Sequence, residues 1–96
     1  MRIVYSPSAR DDLTWMRTYY SRVFPDGAVN ARRHLKAAEK NLCANPEIGR
    51  PSEVATLREL PIARTPFSIV YAIRHNRILI LRVWDGRAER SDMRLS

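Results

Sequence analysis

Phe67-Ser68-Ile69-Val70-Tyr71-Ala72-Ile73-Arg74-His75-Asn76-Arg77-Ile78-Leu79-Ile80-Leu81-Arg82-Val83-Trp84 is the stretch that decides the fold. Two runs rich in Ile, Val, Tyr and Phe, Phe67 to Arg74 and Arg77 to Trp84, are separated only by His75-Asn76, the spacing of a two-residue β-hairpin. In that register Arg74 pairs with Arg77, Ile73 with Ile78, Tyr71 with Ile80, Ile69 with Arg82 and Phe67 with Trp84, and these residues are assigned one face. Ser68, Val70, Ala72, Leu79, Leu81 and Val83 take the other. Both faces are largely apolar, so one is expected to lie on helices and the second to be half covered or to await a partner. Asp85-Gly86 ends the hairpin. Arg87 to Ser96 reads as a polar tail, with a short strand or turn near Arg87 and fraying after Asp92.

Upstream of the hairpin the pattern is helical. Arg2 to Tyr5 is a short β-prone run closed by Ser6-Pro7. Ser8 offers an N-cap, with Asp11 three residues on in a capping-box-like arrangement, and Asp11 and Asp12 suit the positive end of a helix dipole. Ala9, Leu13, Met16, Tyr20 and Val23 then recur on one helical face, flanked by Trp15 and Tyr19. Pro25-Asp26-Gly27 closes that helix, and Asp26 can cap a second one with Ala28, Ala31, Leu35, Ala38 and Leu42 as its stripe. The small residues on this stripe suggest close packing of two antiparallel helices. Pro46 stops the second helix at Asn45. Ile48 to Ala55 reads as loop, and Leu57 to Ile62 as a strand interrupted or ended at Pro61. The expected fold is α+β: an N-terminal strand and a helical hairpin packed on a small, mostly antiparallel sheet, in a single domain spanning residues 1–96.

Ninety-six residues fit one compact domain. At 45% hydrophobic and 28% charged, the chain is neither a disordered polyampholyte nor a membrane span: Ile78 to Leu81 is an apolar run of four residues, and Ile69 to Ile73, counting Tyr71, one of five. The N-terminus goes straight into structured sequence without a signal-peptide core, so a cytoplasmic location is expected. Seventeen basic against ten acidic side chains give +7, which implies an acidic or polyanionic partner. All but Lys36 and Lys40 of the basic residues are arginine. Codon bias could account for that preference, but not for the net charge. The excess is spread over both halves, so a basic patch has to be assembled by folding.

Few constellations carry chemistry. His34 and His75 sit on different elements, and neither His-x-x-x-His nor Cys-x-x-Cys spacing occurs, so no metal is expected. Cys43, the lone cysteine, follows Leu42 at the end of the second helix and reads as a small buried thiol. The three glycines form no nucleotide-binding loop, and no cofactor is implied. Arg58, Arg64, Arg82, Arg87, Arg90 and Arg94 all fall on or beside the sheet, where converging guanidinium groups could bind RNA phosphates and stabilise charge on a scissile phosphate. A nuclease would also need an acid and a base, for which Glu59, Asp85, Glu89 and His75 are available. Solvated or ion-paired arginines are the plainer reading of the same residues. Trp84 could anchor a partner or fill the end of a strand.

Several segments together resemble the toxin subunits of the RelE/ParE superfamily of bacterial type II toxin–antitoxin modules. They are Ser6-Pro7-Ser8-Ala9-Arg10-Asp11-Asp12-Leu13, Asn45-Pro46-Glu47-Ile48-Gly49-Arg50-Pro51, Leu57-Arg58-Glu59-Leu60-Pro61, Phe67-Ser68-Ile69-Val70-Tyr71 and Ile80-Leu81-Arg82-Val83-Trp84-Asp85-Gly86-Arg87. The resemblance implies a helical hairpin on a small sheet, in agreement with the reading above. RelE-like members cut mRNA in the ribosomal A site with Lys, Arg and a C-terminal Tyr or His on the concave sheet face; ParE-like members share the fold, lack that set and poison DNA gyrase. The RelE-like lysines fall near Glu59 and Pro61, the central arginine near Ser68 and the C-terminal tyrosine near Arg94. None is retained, and Asp85 stands where many relatives have His.

The resemblance therefore implies a ParE-like toxin, not itself an enzyme, that binds gyrase and is held inactive by a cognate antitoxin with an acidic, partly disordered segment. Target contact is expected at Trp84, Asp85, Arg87, Arg90 and Arg94, and antitoxin contact at Trp15, Tyr19, Arg58 and Arg64. The alternative is a ribosome-dependent endoribonuclease using Arg58, Arg82, Arg87 and Arg90. A further rival, a non-catalytic nucleic-acid-binding module, would need Tyr71 and Trp84 exposed beside the arginines. An apolar sheet face also raises the prospect of a toxin dimer within the toxin–antitoxin assembly; no membrane partner is expected.

Overall fold

The computed structural model describes residues 1–54 and 56–86. Strand β1 (Arg2–Tyr5) leads into helix α1 (Pro7–Arg22), a single 3₁₀ turn (Pro25–Gly27) and helix α2 (Ala28–Ala44); four strands follow, β2 (Arg50–Pro51), β3 (Arg58–Pro61), β4 (Phe67–Arg74) and β5 (Arg77–Asp85). They form one sheet in the order β1-β5-β4-β3-β2. Among the described residues, only the β1–β5 pair is parallel. The expected α+β architecture is thus the observed one. The tail expected beyond Gly86 lies outside the described residues.

The β4–β5 hairpin turns where expected. His75 and Asn76 both have positive φ, 51° and 60°, as the twist-matched two-residue turn requires. The register runs as expected from Arg74–Arg77 to Tyr71–Ile80 and then breaks. Leu81 is an extra residue on β5, so Val70 faces Arg82, Ile69 faces Val83, Ser68 faces Trp84 and Phe67 faces Asp85. Strand side chains alternate, so a one-residue bulge exchanges the faces of everything beyond it. Val83, not Trp84, joins Phe67, Ile69, Tyr71, Ile78 and Ile80 in the core beneath the helices. Trp84 packs instead with Leu57, Val70, Ala72 and Leu81 on the second face. That face is itself buried: Val70 is 0% exposed and Trp84 5%.

The helix ends differ from the expected caps. Ser6, not Ser8, caps α1, accepting the Ala9 amide at 3.1 Å with Pro7 in the first turn. No side chain caps α2, which Asp26 was expected to do; Gly27 stands at that position. Ala9, Met16 and Tyr20 are buried, whereas Val23, expected on the same stripe, is 66% exposed where α1 ends. Cys43, expected to be buried, is exposed. Ala31, Ala38 and Leu42 anchor α2 in the core.

Ser6 and Asp12 also complete the sheet. The β1 partner of β5 ends at the Tyr5–Ile80 pair, and beyond it the Ser6 amide donates to the Ile80 carbonyl (2.9 Å) and the Ser6 hydroxyl to the Leu81 carbonyl (3.0 Å). The Asp12 carboxylate accepts the Val83 amide at 2.8 Å. Side chains at the start of α1 thus satisfy backbone groups that a longer β1 would have paired.

Candidate functional site

Among the described residues, the sheet arginines Arg58, Arg64 and Arg82 do not gather into a common site. Arg82 forks onto Asp12, Nε to Oδ2 at 2.8 Å and Nη2 to Oδ1 at 3.0 Å, in a largely buried pair that ties β5 to α1 and raises the arginine pKa further. Arg58 donates through Nη1 to the carbonyls of Gly49 (2.7 Å) and Glu47 (3.2 Å). The Tyr71 hydroxyl completes this clamp on the α2–β2 loop, donating to the Pro46 carbonyl (2.8 Å) and accepting the Gly49 amide (2.9 Å). Burial is the main cause that raises the Tyr71 phenol pKa. Gly49 is needed for close approach, since a Cβ there would lie 2.6 Å from the Tyr71 oxygen. Arg64 is exposed in the β3–β4 loop at φ 59°.

The described candidate acids and bases, Glu59, Asp85 and His75, are equally dispersed. Glu59 is 2% exposed and lies 3.7 Å from Arg50. Asp85 is 8% exposed at the end of β5, while His75 is exposed in the hairpin turn. Tyr71 and Trp84 are both buried, so neither presents the outward aromatic that a nucleic-acid module would use. Arg87, Glu89, Arg90 and Arg94 lie outside the described residues. Among the described residues, no three His, Cys, Asp or Glu side chains come together as a metal site would require.

Two surface features are built from the helical hairpin. The first gathers Trp15 and Tyr19, expected antitoxin contacts, over the start of β4. Their rings stack at 5.9 Å and 10°, and each meets Phe67 edge-on at 5.8 Å. Trp15 remains 54% exposed. Arg64 sits three residues before Phe67, whereas Arg58 is committed to the α2–β2 loop.

The second feature is a groove of about 520 Å³ between α1 and α2. Leu13, Met16 and Tyr20 of α1 and Ala28, Ala31 and Leu35 of α2 supply its apolar lining, and exposed Arg17, Arg32 and Lys36 stand along it. The small residues of α2, expected to draw the helices together, leave room instead. At the end away from the interhelical turn, the Tyr5 hydroxyl donates to Glu39 Oε2 at 2.6 Å. Burial, and then the neighbouring Glu39 carboxylate, push the Tyr5 phenol far above its ordinary range, so it stays a neutral donor. Sequence reasoning missed this site, because Tyr5 and Glu39 lie 34 residues apart on different elements. The available signal was the pair of alanines, Ala28 and Ala31, on a stripe otherwise facing large side chains.

An apolar trough edged by cations suits an amphipathic acidic segment of another protein. Comparison with known proteins gives the family. Residues 3–90 match the family model described as the ParE toxin of the type II toxin–antitoxin system, parDE. A toxin named RelE2 from Caulobacter vibrioides is 34% identical over 82 residues, covering 85% of this chain and 91% of the relative. A solved chain of a chromosomal ParDE toxin–antitoxin system from P. aeruginosa superposes with a TM-score of 0.71 at 32% identity, covering 86% of this chain and 92% of that one. By sequence and by fold, the chain belongs to the ParE toxin family of type II toxin–antitoxin systems.

Proposed function

We propose that this toxin acts on the ParE side of its superfamily, arresting growth by binding DNA gyrase without doing chemistry itself. The observation that carries the reading is the employment of Arg58 and Arg82. The described arginines of the nuclease alternative hold backbone carbonyls and Asp12, and buried Glu59 lies beside Arg50. Ser68 and Pro61 stand where a RelE-like nuclease would carry its strand cations. Gyrase contact is placed at the end of β5 and the tail, where buried Trp84 and Asp85 anchor the strand from which the chain continues to Arg87, Arg90 and Arg94.

The cognate antitoxin silences the toxin by laying an acidic segment across the helical hairpin. Its apolar side chains enter the groove, its carboxylates meet Arg17, Arg32 and Lys36, and contacts extend to Trp15, Tyr19 and Arg64. The test is a gyrase supercoiling assay with ATP, run with and without antitoxin beside a ribosome-programmed mRNA cleavage assay. Inhibited supercoiling relieved by antitoxin, with intact mRNA, is expected. Codon-phased mRNA cuts with unaffected gyrase would overturn the reading.

A further inference from the structure

Glu39 is out of keeping with the rest of the groove. It is half-buried beside an apolar lining, and it accepts a hydrogen bond from the Tyr5 hydroxyl. A carboxylate has about four acceptor positions. Among the described residues, no Lys or Arg nitrogen lies within ion-pair distance of it. In the free toxin, water can serve the remaining positions. A partner lying along the groove displaces that water, and desolvating a carboxylate costs several kcal/mol unless a cation or donor replaces it. The other charged side chains of the groove, Arg17, Arg32 and Lys36, make the opposite demand.

We infer that Glu39 is a specificity-determining residue: it selects an antitoxin segment that sets an Arg or Lys at the Tyr5 end of the groove, beyond an apolar seam flanked by acidic residues. This inference rests on the reading that the groove receives the antitoxin. Tyr5 positions the carboxylate by holding Oε2, which leaves Oε1 for the incoming cation. A segment with an acidic residue at that point places two carboxylates together under cover and is rejected. The groove thereby distinguishes antitoxins that are alike in net charge and apolar spacing by the sign of a single side chain.

The experiment uses the full-length toxin and the antitoxin of its own module. Backbone NMR of labelled toxin, with antitoxin added, first reports whether Leu13, Tyr20 and Leu35 respond. Calorimetry then compares wild type with Glu39→Gln, which keeps an acceptor for Tyr5, and with Glu39→Arg; thermal melts establish that both variants are folded. Expected are a weakening of about 10-fold for Glu39→Gln and about 100-fold or more for Glu39→Arg. One Arg or Lys to Glu change in the antitoxin should bring Glu39→Arg back to within about 10-fold of wild type, while weakening binding to the wild-type toxin. If the groove residues respond but Glu39→Arg binds as wild type does, or no single reversal restores it, Glu39 recognition is wrong and the groove reading stands. If those residues are silent while antitoxin binds, the groove reading fails, and the inference with it.

Discussion

Along one flank of α1, Asp12 meets Arg82 in a bidentate pair and accepts the Val83 amide; along the other, Tyr5 gives Glu39 one hydrogen bond at the end of a groove of about 520 Å³. Each flank contains a carboxylate beside apolar side chains. The Asp12 side chain is 15% exposed and engaged by both a guanidinium and the backbone, so its charge is already compensated within the fold. Glu39 keeps part of its capacity for something outside the chain. The difference separates a contact that holds the fold together from one that can recognise a partner.

Asp12→Ala tests the sealed flank most severely, because it removes the carboxylate shared by the largely buried Arg82 guanidinium and the Val83 amide. Urea unfolding should show a loss of about 3 kcal/mol, and an unchanged midpoint would remove the energetic basis of the comparison. Gly49→Ala probes the other internal clamp by driving a methyl into the Tyr71 oxygen and the Glu59 carbonyl. A loss of about 2 kcal/mol is expected from the overpacking, read from the same denaturation curves.

The open flank should respond more gently. Tyr5→Phe is expected to cost about 1 kcal/mol at neutral pH. Because the folded state raises the Tyr5 pKa above its ordinary 10.0, this stabilisation is complete below pH 10. It is lost as the pH climbs higher, where the unfolded chain gives up its phenol protons first. Tyr71 is shifted in the same direction, so Tyr5→Phe should flatten part, not all, of the alkaline decline in melting temperature. Glu39→Gln should move the stability of the free toxin by less than about 0.5 kcal/mol. A larger loss would mean that Glu39 belongs to the framework, like Asp12.

Elements governed by local rules could be read from the sequence. The β-rich runs around His75-Asn76, the stop at Asn45-Pro46 and the helical stripe through Ala9, Met16 and Tyr20 all stand where the spacing places them. The bulge at Leu81 could not be read, because both strands are apolar at nearly every position and either register buries hydrophobic side chains. Its cause is tertiary: Asp12 and Ser6 reach β5 from the start of α1, 70 or more residues earlier in the chain. The site was hidden for the same reason. Arg58 and Arg82 looked like free cations because their acceptors, the Gly49 carbonyl and Asp12, are brought to them only by folding. Cys43 looked buried because Leu42 is, although the helix turns the two to different sides.

The parallel pairing of β1 with β5 has a consequence for synthesis. The second residue of the chain finds its strand partner at Arg77, and Ser6 waits for the carbonyls of Ile80 and Leu81. A ribosome adds roughly 5–20 residues per second, so β1 and the helical hairpin emerge seconds before the strand that joins them to the sheet. Until β5 leaves the exit tunnel there is no completed toxin to poison the cell that is making it. A product cut short before that strand lacks the partner that β1 pairs with, so its sheet is left incomplete.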